Sequence, residues 1–154
     1  MRKGTLIYSV ILLVILTSLV AFSPPAAAII NGSAKFEPKS MDMSLPAPRV
    51  VQANIRFESS QHENPRDINA STVLLEGSLL PDNTYFVPGS LLAEFDGTGV
   101  KNIIWGKITH MGALAPPYKI LLTITGNLID TAGGTPFSAT GYIKIVVHYS
   151  PPPP

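Results

Sequence analysis

Residues 119–149 read KILLTITGNLIDTAGGTPFSATGYIKIVVHY, and this stretch decides the fold class. Ile120, Leu122 and Ile124 alternate with Thr123 and Thr125, the period of two of a strand with one buried and one wet face. Asp130-Thr131-Ala132-Gly133-Gly134 supplies a turn, and Phe137–Tyr149 returns through Tyr142, Ile143, Ile145 and Val147. Two strands joined by a Gly-containing loop are a hairpin.

The same period recurs upstream. Val51, Ala53, Ile55 and Phe57 alternate with Gln52, Asn54, Arg56 and Glu58. Ser71–Glu76 carries Val73 and Leu75 on one face, and Thr84–Val87 and Leu91–Phe95 are short strands split by Pro88-Gly89. Ser59–Asp67 and Gly112–Pro117 read as loops, Asp96-Gly97-Thr98-Gly99 as a turn, and Val100–Trp105 as a short apolar piece of undecided type. Six to eight short strands without a convincing helix after residue 28 predict an all-β, two-sheet sandwich over residues 49–149. Residues 29–48 hold Pro38, Pro46 and Pro48 and read as a linker or a first edge strand around Met41–Leu45, since sheet edges accept nearby prolines. Residues 150–154 form a stiff polyproline tail.

The N-terminus is of another kind. Arg2 and Lys3 precede the apolar run Leu6–Phe22, then Ser23-Pro24-Pro25 and Ala26-Ala27-Ala28. A basic start, an apolar stretch, a helix breaker and small residues make residues 1–28 a secretory signal, with cleavage after Ala28. The alternative is an uncleaved anchor, because a run of this length just reaches the lower bound for spanning a bilayer. Under either reading Arg2 and Lys3 stay in the cytoplasm and the domain is extracytoplasmic, secreted or at the cell surface. It touches the membrane only through residues 6–22, if these are uncleaved.

Composition narrows the chemistry. Charged residues make up 14% of the 154, against about 25% in ordinary soluble domains. Without Arg2 and Lys3, Lys+Arg falls from 11 to 9 against 10 Asp+Glu, a net charge of −1. A near-neutral domain without a basic stripe is not built for nucleic acid. The chain has no cysteine, so disulfides, thiolate nucleophiles and zinc-thiolate sites are excluded. Fifteen prolines and twelve glycines lie mostly between apolar runs, where they punctuate strands.

Several segments also resemble a known family. Phe36-Glu37-Pro38-Lys39-Ser40-Met41 is similar to the opening I-x-P-x-x-L of a domain found in exported bacterial and archaeal proteins. Asp67–Gly77 resembles its dIdxsTVxLnG segment, and Leu92-Ala93-Glu94-Phe95-Asp96 its LxvkFD strand. Leu122–Leu128 with Phe137 and Ile143-Lys144-Ile145 resembles its terminal hairpin. The resemblance covers residues 34–148 and implies an immunoglobulin-like sandwich serving as a non-catalytic accessory module, with residues 29–45 as the first strand of its own sheet. Where such domains carry an Asp/Gly-rich stretch, this chain reads Tyr85-Phe86-Val87-Pro88-Gly89, so no metal-stabilised loop is implied.

No constellation of residues adds chemistry. His62-Glu63, with Asp67 nearby, is the one adjacent pair of metal-ligand types, but a hydrolytic zinc site takes three protein ligands on rigid elements. His110 and His148 lie in other segments. A calcium loop needs alternating oxygen ligands, and Asp96-Gly97-Thr98-Gly99 has one carboxylate. No G-x-S-x-G elbow occurs, and the acids show no pair. Asn31-Gly32-Ser33 and Asn69-Ala70-Ser71 fit the glycosylation sequon. Trp105 is expected to plug one end of the core. The expectation is a non-catalytic structural or interaction module without catalytic, cofactor or metal residues. Its partner is a protein or a further copy of the chain, with residues 29–45 as a candidate donor strand if they do not pair at home. The alternative is a carbohydrate-binding module, which requires a planar row of exposed aromatics, with Trp105 and the tyrosines at 85, 118, 142 and 149 as its candidates.

Overall fold

The computed structural model describes residues 29–57, 64–111, 118–129 and 134–146. Alternation becomes strand wherever the sequence shows it. The strands are β1 (Ile30–Glu37), β2 (Ser40–Asp42), β3 (Val50–Phe57), β4 (Leu74–Leu75), β5 (Asn83–Val87), β6 (Ser90–Asp96), β7 (Tyr118–Asn127) and β8 (Pro136–Val146). They form one curled, mixed sheet in the order β4-β7-β8-β1-β3-β6-β5, with β2 also on β8. The pairings of β1 and β2 with β8 are parallel and the rest antiparallel.

One face of each long strand supplies the core. Ala34 and Phe36 of β1, Val51, Ala53 and Ile55 of β3, and Leu91, Ala93 and Phe95 of β6 are buried. Ile120, Leu122 and Ile124 of β7 join Phe137, Ala139, Ile143 and Ile145 of β8 in the same cluster. A single flat sheet would leave these side chains wet. Curling turns the face inward, and each large side chain so buried contributes about 1.5–3 kcal/mol. Leu75 of β4 and Met41 of β2 also enter the cluster, and Ile68, Val73 and Leu128 join it from the connecting segments.

Residues 29–48 hold two strands: β1 is no edge, whereas β2, near the expected edge strand at Met41–Leu45, pairs with β8 alone. Gly32–Glu37 pairs with β3 and Ile30–Ser33 with β8, so β1 sits in the middle of the sheet. It leaves β8 where the Ala34 carbonyl crosses Gly141: a Cβ on Gly141 would lie 2.0 Å from that oxygen. After the Glu37–Pro38 bond, β2 rejoins β8 at Lys144–Val146. Residues 29–45 thus pair within their own domain, as the family resemblance implies, and the unpaired segment that a donor strand requires is not what the structure shows.

The second correction is a helix, α1 (Gly97–Met111), 15 residues long, where the sequence reads as a turn and an undecided apolar piece. Asp96 ends β6 and caps the helix, accepting the Gly99 N–H at 2.8 Å, as an N-cap carboxylate does. Val100 and Ile104 enter the core. Gly97 lowers helix propensity by about 1 kcal/mol relative to Ala, yet no larger residue fits, since its Cβ would meet the Pro48 carbonyl oxygen at 1.7 Å. Trp105 falls on the outer side of α1 and is 55% exposed, so it does not plug the core. Among the described residues no helix is long and apolar enough to cross a membrane. Residues 1–28 and 150–154 lie outside the described residues.

Candidate interaction edge

A sheet that does not close on itself keeps two edges, each a row of unpaired backbone groups unless something covers it. The two ends of the strand order here differ, and β2, on β8 alone, adds a third, three-residue edge. At the β4 end the cover reaches from Thr123 to Asn127 although β4 itself has two residues, while the outer side of Lys119 and Leu121 has no backbone partner among the described residues. Beyond β4, the Glu76 N–H donates to the Thr123 carbonyl at 2.8 Å, and the Thr123 N–H donates to Glu76 Oε1 at 2.7 Å. One carboxylate thus takes the place of the missing strand. Its other oxygen meets Lys107 Nζ at 2.8 Å, tying α1 to this corner. Further along β7, Thr72 Oγ1 accepts the Asn127 N–H at 2.8 Å, and the Asn127 carbonyl accepts the Asn69 N–H at 2.9 Å.

This arrangement sets a prediction. Glu76→Gln keeps an acceptor for Thr123 and loses the ion pair, so it is expected to cost less than about 1 kcal/mol. Glu76→Ala strands a half-buried N–H and is expected to cost about 1–3 kcal/mol. Urea unfolding of the two variants measures the difference.

The opposite edge, β5, has no such cover among the described residues. Asn83–Val87 pairs with β6 on one side. Val87 and Ser90 close the Pro88-Gly89 loop and form a hydrogen-bonded pair, and bonded pairs recur at Tyr85↔Leu92 and Asn83↔Glu94. The other end agrees: Asp82 N–H donates to the Glu94 carbonyl at 2.7 Å, a bulge that places two residues opposite Glu94. Thr84 and Phe86 lie between bonded pairs, so their N–H and C=O groups aim outward. Natural edges are usually blunted by charge or by Pro within the strand. Here Asn83, Thr84, Tyr85, Phe86 and Val87 carry no charge, and Tyr85 and Phe86 are 47% and 45% exposed. The carboxylate beneath them, Glu94, accepts from Gln52 Nε2 at 2.9 Å and Asn83 Nδ2 at 3.3 Å.

Among the described residues, open cavities lie beside β5 and beside α1. One, of about 370 Å³, adjoins the start of β5 between Ala70, Ser71, Leu80, Pro81 and Thr84. The other, of about 430 Å³, lies beside α1 among Glu76, Ile103, Gly106, Lys107 and His110. Its ionisable groups are engaged, Glu76 with Lys107 and Thr123, and the His110 ring with the Gly106 carbonyl. In the first, which Asp82 also lines, the Ser71 hydroxyl donates to Asn69 Oδ1, and the lining of the second holds no hydroxyl or thiol.

The residues singled out from sequence are dispersed. Asp67 lies exposed in a short 3₁₀ turn and His110 in the last turn of α1. His62, Glu63, His148 and Tyr149 lie outside the described residues. Among the described residues no group of three His, Cys, Asp or Glu gathers around one point. Asn31 is exposed on β1, whereas Asn69 Oδ1 accepts the Ser71 N–H and hydroxyl, capping a 3₁₀ turn. Among the described residues the exposed aromatics are spread over separate elements: Tyr85 and Phe86 are on β5, Tyr142 on β8 with three strands between, and Trp105 on α1. The β5 edge escapes sequence reading because its strand is visible but its place at the border of the sheet is not. No family model, no curated protein and no solved structure matches this chain.

Proposed function

We propose that this chain is a non-catalytic, extracytoplasmic interaction module with an immunoglobulin-like sandwich, acting through protein contact at β5. The observation that carries this reading is the asymmetry of the sheet. Glu76, Thr72 and Asn69 close one edge from Thr123 to Asn127, and Lys119 places a charge on the rest of it, while the other presents an uncharged aromatic strand. Exposed aromatics are enriched where proteins meet, and an unpaired strand edge receives an extended peptide by main-chain hydrogen bonds.

Strand order supports the sandwich. The groups β5-β6-β3-β1 and β4-β7-β8 follow the order of a constant-type immunoglobulin domain, with β1 shared between the two groups. The signal pattern of residues 1–28 supports export.

A photoreactive benzoylphenylalanine placed at Tyr85 of the full chain, irradiated on intact cells, tests the proposal. Protein adducts are expected from position 85 and not from Tyr142, which is as exposed but lies on the outer face of β8. Absence of a protein adduct at position 85 overturns the reading.

A further inference from the structure

The β5 edge is self-complementary, and this identifies its partner. We infer that β5 pairs antiparallel with β5 of a second copy about a two-fold axis at Tyr85; the inference rests on β5 being the interaction edge. Among antiparallel registers of Asn83–Val87 with itself, the one centred on Tyr85 overlaps all five residues. It sets Thr84 opposite Phe86 and Asn83 opposite Val87. Thr84 and Phe86 are the residues whose N–H and C=O groups aim outward, so each bonded pair of the new ladder joins two groups that are free in the monomer. An isologous contact of this kind closes at two copies and leaves no growing end.

Charge agrees with this occupant. The flanking charge, Asp82, falls opposite the uncharged Pro88-Gly89 turn of the other copy, so no like charges meet. Pro81 and Pro88 bound the strand, and Pro88 has no N–H to extend the ladder. The two Tyr85 side chains meet on the axis as a non-hydrogen-bonded pair, the closer of the two antiparallel spacings at about 4.5 Å between Cα atoms. Five residues make a small interface compared with the roughly 1,200 Å² of stable complexes. Association is therefore weak and reads out best by covalent trapping.

The chain lacks cysteine, so single cysteines report the register without background. The spacing of the Tyr85 pair lies within disulfide range. Under mild oxidation Tyr85→Cys is expected to form a covalent dimer. Asn83→Cys and Val87→Cys are each expected to stay largely monomeric alone and to cross-link when mixed, and that mixture retains Tyr85 in both copies. Equal cross-linking of Asn83→Cys alone and Tyr85→Cys overturns the register. Monomeric Tyr85→Cys together with an unreactive mixture overturns homotypic pairing. Adducts from benzoylphenylalanine at position 85 to other proteins, in that case, leave β5 as an interaction edge with a different partner.

Discussion

Deleting residues 29–37 is expected to abolish folding. The deletion removes β1, and with it both ladders that join β5-β6-β3 to β8-β7-β4. Phe36, 2% exposed, leaves the core at the same time, and the inner borders of β3 and β8 open to water. Domains of this size are stable by about 5–15 kcal/mol, and no margin of that order survives the loss of the central strand. Far-UV circular dichroism of the truncated protein should lack the β signal, and heating should give no cooperative transition. A truncated protein that melts cooperatively with native-like β content would mean that the two halves hold together without β1.

Gly141→Ala probes the same junction with one methyl group. The added Cβ would sit 2.0 Å from the Ala34 oxygen, 2.9 Å from its carbonyl carbon and 3.0 Å from Phe36 Cε2. Two of these contacts are backbone, so relief requires β1 to move off β8. Overpacking of a well-filled interior costs about 1–3 kcal/mol, and a clash with backbone belongs at the upper end. The melting temperature should fall by on the order of 10 °C. Gly106→Ala is the control: its Cβ meets nothing within 4 Å, and helix propensity favours Ala there by about 1 kcal/mol. Equal melting temperatures for the two variants would remove the close approach of β1 to β8.

The strands with long alternation were legible from sequence. Residues 119–149 and 51–58 read as half-buried strands, and β7, β8 and β3 lie there within a residue or two wherever the chain is described. What escaped depends on partners distant in sequence. β1 reads INGSAKFE, and Asn and Gly are poor strand formers; its place comes from the ladders with β3 and β8. α1 hid behind the two glycines of its first turn, one of which is imposed by the Pro48 carbonyl nearly fifty residues earlier. Glu76 looked like an ordinary surface acid, yet its carboxylate completes a ladder with Thr123 across 47 positions. Trp105 reads from sequence as a core plug, with a binding surface as the alternative, and the helical period places it outward. The candidate edge has the same origin, since composition gives a strand its residues and topology gives it its border.

Residue-resolved amide hydrogen exchange across a range of protein concentrations tests the role of β5 most directly. In dilute monomer, the amides of Thr84 and Phe86 should exchange fast while that of Tyr85, bonded to Leu92, exchanges slowly. At high concentration Thr84 and Phe86 should become protected together, while the β6-facing amides of Asn83, Tyr85 and Val87 stay unchanged. Protection of Thr84 and Phe86 already in the dilute monomer would mean that the edge is covered by the chain itself. Fast exchange of both at every concentration would contradict pairing with a second copy.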